Sequence, residues 1–296
     1  MPSRLISLVI LIYWSIAAFC LFTWDVLPEL TMGYPPDLRA ITFASDSSKS
    51  VRWSIQVIDD PRSPEARRSV GEAVTAASRR PDGWYEMTSR VEFDAGELLR
   101  GTVFATLVSK RIHIDSAYHV DPSGNLHDFD LKVKSREFGD ELIDVQGQVK
   151  GNSMEIVSRG PMEILNKEMK FDYEPRSVVQ DVLGPFDRLP GLQVGQRWES
   201  RVINPFTGKV DSVRARVVRR TVIDWDANPV SAFEVEQKMS GLSMKTWVRT
   251  DGVILRQEVP FPFVRMMLER RPEDTHALGP PVPSSSASSP AGRRAS

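Results

Sequence analysis

Residues 5–24 read LISLVILIYWSIAAFCLFTW, an uncharged apolar run at the start of the chain. As a helix it spans about 30 Å at 1.5 Å per residue, the thickness of a bilayer's hydrocarbon core. A cleaved signal peptide has an apolar region of about 7–15 residues followed by a small-x-small site. This run is longer and no such site follows it. The expectation is a retained transmembrane anchor over residues 1–25. Arg4 precedes the run while Asp25 and Glu29 follow it, so the positive-inside rule keeps the short N-terminus in the cytoplasm and exports the rest. That makes the protein single-pass, with its bulk exported. Cys20 follows Phe19, where a lipid-attachment signal needs a small residue, so it reads as an apolar membrane-facing cysteine.

Composition divides what remains. Residues 26–49 carry Pro28, Pro35, Pro36 and a Ser-rich stretch, and read as a flexible tether. Residues 273–296 are rich in Pro, Ser and Ala with little to bury, and read as a disordered tail. The exported β-rich domain is then residues 50–272. The chain has 38 Lys plus Arg against 39 Asp plus Glu, a balance that excludes a general nucleic-acid binder. The single cysteine excludes an intrachain disulfide and Cys-rich metal sites.

Inside the domain the hydrophobic period is mostly two. Val51, Trp53, Ile55 and Val57 alternate along one strand. Strands are expected over 84–93, 101–110, 111–120, 126–134, 142–150 and 153–158, then 196–203, 210–223, 230–239, 242–250, 253–259 and 263–269. Pro64 to Arg80, rich in Ala and Arg, reads as a surface helix. Many short-spaced strands imply a largely antiparallel sheet, curved or barrel-like. Asp251-Gly252 suits a two-residue type I′ turn, which pairs Val248 with Leu255, Trp247 with Arg256, and Lys245 with Glu258. Between the two strand-rich stretches, Ser177 to Leu192 places Val178, Val179, Val182, Leu183 and Phe186 on one helical stripe, ended by Gly184-Pro185. This short helix packs on the sheet, either sealing the core or closing over a hydrophobic groove. In the second case Val178, Val182, Leu183 and Phe186 are the ligand-binding lid.

Catalytic chemistry has little support. His113, His119 and His127 lie near Asp115, Asp121, Asp128 and Asp130, types that suit zinc or iron. Strand parity puts His113 and His119 outward and His127 inward, so no two histidines converge and no metal site is expected. There is no G-x-S-x-G elbow and no phosphate-binding glycine motif, so neither a catalytic residue nor a cofactor is expected. Carboxylate-based hydrolysis stays open, because any two acids can meet in space. Arg214, Arg216 and Arg220 share one strand face opposite Val213, Ala215 and Val217. That face is solvated, or contacts anionic headgroups or an acidic partner.

Leu192, Val194, Gly195 and Trp198, then Trp247, Asp251, Gly252, Leu255 and Glu258, form two spaced motifs, L-x-V-G-x-x-W and W-x-x-x-D-G-x-x-L-x-x-E. They resemble exported bacterial domains of unknown function related to the outer-membrane lipoprotein carriers. The resemblance implies a curved antiparallel half-barrel wrapped around a short helix, with carriers of acyl chains among its relatives. The expected function is therefore a non-enzymatic, membrane-anchored β-rich protein that binds a lipid or other apolar ligand between sheet and helix. The alternatives are an envelope scaffold that engages protein partners without a small ligand, and a hydrolase.

Overall fold

The computed structural model describes residues 4–22, 50–58, 67–98, 100, 111–135, 142–173, 178–179, 187–189, 191–203, 210–239, 242–260 and 265–272. Helix α1 is Arg4–Leu21, and a second helix, α2, is the single turn Ala95–Leu98, capped by Asp94, whose Oδ1 accepts from the Glu97 amide at 2.9 Å. The first arm of the sheet comprises β1 (Ser50–Ile58), β2 (Arg67–Arg79), β3 (Tyr85–Asp94), β4 (Arg111–Val120), β5 (Leu126–Ser135), β6 (Ile143–Lys150), β7 (Ser153–Arg159) and β8 (Lys167–Asp172). The second comprises β9 (Val178–Val179), β10 (Arg197–Ile203), β11 (Val210–Trp225), β12 (Asn228–Met239), β13 (Leu242–Arg249), β14 (Ile254–Pro260) and β15 (Arg265–Arg270).

These make one 15-stranded sheet in the order β8-β7-β6-β5-β4-β3-β2-β1-β15-β14-β13-β12-β11-β10-β9. The chain starts in the middle, meanders to one edge, passes to the other edge, and meanders back until β15 pairs with β1. Every described pairing is antiparallel except β9 on β10. One connection sets the shape. Asp172 ends β8 at one edge and Val178 begins β9 at the other. Six peptide steps reach at most about 22 Å, whereas a flat sheet of this many strands would hold its edges roughly 67 Å apart at about 4.8 Å per spacing. The sheet must therefore curl until its edges approach each other.

The curl also explains how the apolar face is covered. Trp53, Val91, Val145, Met154 and Val217 have no exposed surface, yet α2 is the one α-helix described within the domain. The sheet shields its own inner face. Residues buried there fall into two clusters. One joins Trp53, Ile55 and Val57 of β1 to β10–β15, and the other gathers Tyr118, Phe129, Val145, Met154 and Ile156 on the β3–β7 arm. Thr75, Ser89 and Ser116 stand directly opposite one another as a hydroxyl row across β2, β3 and β4. Thr75 accepts from the Trp53 indole at 3.1 Å.

Most expected strands are present, with boundaries shifted by at most two residues; residues 101–110 lie outside the described residues. The surface helix expected over Pro64 to Arg80 is instead β2. Its small residues are needed on the inner face: Ala73 lies opposite both Trp53 and Val91, and a side chain on Gly71 would meet the Glu92 carbonyl at 2.2 Å. Pairing on both sides overrides alanine's helix preference. Where a helix is expected from Ser177, Val178 and Val179 are strand residues instead, and residues 180–186 lie outside the described residues. Val178 and Val179 pair in parallel with Val202 and Ile203, and Arg188 bridges to Val253. β-branched valines fit an edge strand, and the edge backbone of β10 offers them ladder bonds. Strand β8 falls outside the expected set, although Met169 and Phe171 alternate with charges along it.

The β13–β14 turn is a three-residue loop rather than a two-residue one. The Gly252 amide donates to the Arg249 carbonyl at 2.8 Å, with Gly252 at φ 90°, a conformation that glycine adopts without strain. Val248 consequently pairs with Ile254, and a bulge restores the expected Trp247–Arg256 pair beyond it.

For the N-terminal run, α1 has 18 residues, about 27 Å at 1.5 Å per residue. No helix among the described residues is long and apolar enough to cross a membrane. The tether and the tail lie outside the described residues.

Gly147 shows how tightly the inner face is filled. A Cβ there would lie 2.0 Å from Cε1 of Phe129, a ring that is 2% exposed and cannot swing away. Gly147→Ala should cost about 1–3 kcal/mol in denaturant unfolding, and adding Phe129→Leu should return part of it. An unchanged midpoint in the single variant would disprove this packing.

Candidate functional site

The two arms differ in how their inner faces are covered. On the β10–β15 arm, Leu189 and Leu192 join the core. They are held by the Leu189 amide donating to the Gly252 carbonyl at 2.7 Å, by the Ile254 amide donating to the Asp187 carbonyl at 3.0 Å, and by an Asp187–Arg270 ion pair. On the β3–β8 arm, Tyr173 seals one end: its hydroxyl accepts from the Leu126 amide at 3.1 Å, and burial raises its pKa. Beyond it the inner face stays half-covered. Met87, Val133, Ile143, Val149, Met169 and Phe171 pack on the second cluster yet keep accessible surface. This apolar shelf runs to the edge at β8.

Of the expected lid, only Val178 is described, and it is a strand residue of β9; Val182, Leu183 and Phe186 lie outside the described residues. The chain on either side leaves the sheet at β9 and rejoins it beside the β13–β14 turn. In the two sequence motifs, Leu192, Trp198 and Leu255 are core residues, while Val194 is 57% exposed.

The outer face is polar. Glu234 is buried among charges, accepting from Arg219 at 2.7 Å and Lys245 at 3.0 Å. Burial pushes its pKa up, but those two hydrogen bonds and charges hold it below the usual value. At Glu258 burial dominates and raises the pKa. The basic row on β11 differs from the expected one. A bulge between Val217 and Arg219 flips the alternation, so Arg219 joins Arg214 and Arg216, while Arg220 pairs across from Phe233.

A second bulge overturns the histidine parity. His119 pairs with Asp128 and Val120 with Leu126, leaving His127 as the extra residue on β5. The bulge turns His127 outward beside His119. Asp128 receives both imidazoles, His119 Nδ1 on Oδ1 at 2.5 Å and His127 Nδ1 on Oδ2 at 2.7 Å. The His127 ring meets Trp84 edge-on at 4.9 Å, and Glu86 lies 3.9 Å from His119 Nε2. Two histidines thus do converge, where the parity argument kept them apart. Its premise of unbroken alternation fails at one residue. The hydrogen bond to Asp128 raises the His119 pKa against the opposing effect of burial. Burial works to raise the Asp128 pKa, but the two imidazoles lower it overall. Both carboxylate oxygens are engaged by the imidazoles, so the cluster acts as a local electrostatic lock. Among the described residues, no group of three or more His, Cys, Asp or Glu side chains could hold a metal ion.

No known protein family matches the chain, and no curated protein matches it in sequence. Among solved structures, it is similar to a β-barrel-like protein of a domain of unknown function, DUF1849, from Brucella abortus, with TM-score 0.50 at 8% identity over 76% of this chain and 95% of that one. Looser likenesses are to a DUF1089 protein from Pseudomonas aeruginosa (TM-score 0.34, 14% identity, 62% and 87% covered) and to a hypothetical lipoprotein from Escherichia coli (TM-score 0.26, 10% identity, 80% and 90% covered). The Brucella likeness shows the fold alone, a β-barrel-like sheet. It reaches a barrel-like domain of unknown function and stops short of the kinship with lipoprotein carriers expected from the two motifs.

The His119–Asp128 pair has a defined pH window. His119 has a raised folded pKa, so its contribution is complete below its unfolded value of 6.5 and is lost as pH rises through the folded value. Asp128 has a lowered one, so its contribution is complete above 3.8 and is lost as pH falls through the folded value. His119→Gln should therefore cost about 0.5–1 kcal/mol near pH 5, a modest figure because the pair is partly solvated. Urea midpoints of both proteins should converge toward pH 8; a gap independent of pH would refute the assignment.

Proposed function

We propose that this protein is a non-catalytic, membrane-tethered binder of an apolar chain, held on the half-covered inner face of the β3–β8 arm. The observation that carries this reading is the unequal covering of the two arms. Leu189 and Leu192 join one cluster, beside which Phe93, Ile114 and Phe233 keep partial exposure, whereas Met87, Val133, Ile143, Val149, Met169 and Phe171 leave a longer apolar shelf partly open along the other. Partly exposed apolar surface that continues into a buried core gains by covering. Each methylene of an acyl chain laid there contributes about 0.8 kcal/mol. The β-barrel-like fold and the two motifs that resemble carrier-related domains support the same reading.

Tethering rests on the N-terminal run. Leu11, Tyr13, Trp14 and Phe19 of α1 are each about two-thirds exposed or more, the least of them at 66%. Apolar surface of that extent calls for a lipid or protein cover. With Arg4 before the run, the reading is an anchor in a bacterial inner membrane and a periplasmic sheet domain.

The test is displacement of a dansylated undecanoic acid from the full-length, detergent-solubilised protein. Hexadecanoate should displace it, and tetradecanoate should need about 15-fold more, the effect of two methylenes at about 0.8 kcal/mol each. Val133→Asp should weaken the probe at least tenfold while leaving the unfolding transition cooperative. Absence of saturable probe binding by the wild type would overturn the proposal.

A further inference from the structure

We propose that two copies of this chain join edge to edge through β8, in one register set by its sequence. Strand β8 is the terminal strand of the sheet among the described residues, and its Lys167, Glu168, Lys170 and Asp172 are exposed. In an antiparallel strand, both backbone groups of a residue point to the same side, and successive residues alternate. The Tyr173 amide donates to the Asn152 carbonyl at 2.9 Å, which turns the backbone groups of Tyr173, Phe171, Met169 and Lys167 toward β7. The backbone groups that face the open edge are then those of Glu168, Lys170 and Asp172.

Only registers that match these residues with one another make a full ladder. Centred on Glu168, self-pairing sets Glu168 against its own copy. Centred on Lys170, it sets Lys170 against itself and Glu168 against Asp172. Both oppose like charges, which destabilises a directly facing pair. Centred on Phe171, it sets Lys170 against Asp172 but leaves the first half of β8 outside the strand-to-strand overlap. Centred on Met169, the same strand sets Glu168 against Lys170 twice, related by the two-fold axis, and places Asp172 opposite Asn166. This register alone combines opposite charges with nearly the whole of β8. An isologous edge with two opposite-charge pairs is self-complementary.

Lys170 already reaches Glu155 at 3.0 Å, but Glu155 also holds Lys150 at 2.6 Å, so Lys170 can turn to a new partner without stranding that carboxylate. Charges on an edge strand ordinarily discourage pairing; here their order selects one partner, a second copy. A two-fold axis perpendicular to the sheet keeps Met169 and Phe171 of both copies on the inner face. The dimer forms whether or not that face takes an apolar ligand.

At the axis, Met169 faces its own copy in a non-hydrogen-bonded pair, the closer kind, with Cα atoms about 4.5 Å apart. In full-length protein carrying Cys20→Ser, Met169→Cys should give a disulfide-linked dimer under copper–phenanthroline oxidation. The control Val157→Cys, on the neighbouring strand β7, should not cross-link. In sedimentation of detergent-solubilised full-length protein, Glu168→Lys and Lys170→Glu should each raise the dimer dissociation constant at least tenfold. The double variant Glu168→Lys/Lys170→Glu should restore it, which simple misfolding cannot do. A wild type that stays monomeric up to its highest soluble concentration, or a dimer insensitive to both reversals, would overturn the proposal. Capture of an extended segment of another protein in place of the second copy would do so as well.

Discussion

The short link from β8 to β9 is the constraint on which the rest of the structure depends. It joins the two outermost strands of a 15-stranded sheet with six peptide steps. No flat arrangement can satisfy that length. Once the sheet curls, one face becomes an interior, and the apolar residues of the alternating strands have somewhere to go without covering helices. The same link keeps the two edges close without pairing them among the described residues. The result is a barrel-like sheet with a seam, bordered on one side by β8 and on the other by β9 and β10.

Curling also decides which residues must be small. β2 lies between Trp53 of β1 and Phe93 of β3, and it meets them with Ala73 opposite Trp53 and Gly71 opposite Phe93. Read alone, that composition favours a helix, because alanine is the best helix former and nothing local objects. Between two bulky neighbours it is what lets three strands approach. Gly147 under the Phe129 ring is the same device on the other arm. Small residues on this inner face are spatial complements of large ones on neighbouring strands, so their meaning is not local.

Bulges divide what is readable in the chain from what is not. Alternation identifies the inner faces of β1 and β4, and that of β5 beyond its bulge, through Trp53, Ile55 and Val57, Tyr118 and Val120, and Phe129 and Leu131, each a buried set two residues apart. It fails at single inserted residues. At Val218 the bulge exchanges Arg220 for Arg219 in the basic row, and at His127 it brings a second imidazole to Asp128. Beside the Asp251-Gly252 turn it shifts Val248 from Leu255 to Ile254, yet returns Trp247 to Arg256. A bulge depends on how a strand must twist against its neighbour. The local hint is the Pro-Ser-Gly-Asn turn just before Leu126 and His127, which constrains the chain but does not say where the extra residue falls.

The sequence by itself determined that this is a β-rich chain of short-spaced antiparallel strands, with an apolar N-terminal run and with most strand positions in place. Those properties follow from the period of side chains along a strand and from the length of charge-free segments, both local. Only the tertiary structure decided that an expected surface helix is a central strand, that Val178 and Val179 extend the edge at β10, and that His119 and His127 share Asp128. It also decided which arm is sealed and which leaves its apolar shelf half-covered. These depend on contacts between residues far apart in the chain, where packing volume and sheet twist outweigh local preference by more than the few tenths of a kcal/mol, roughly, that propensities differ.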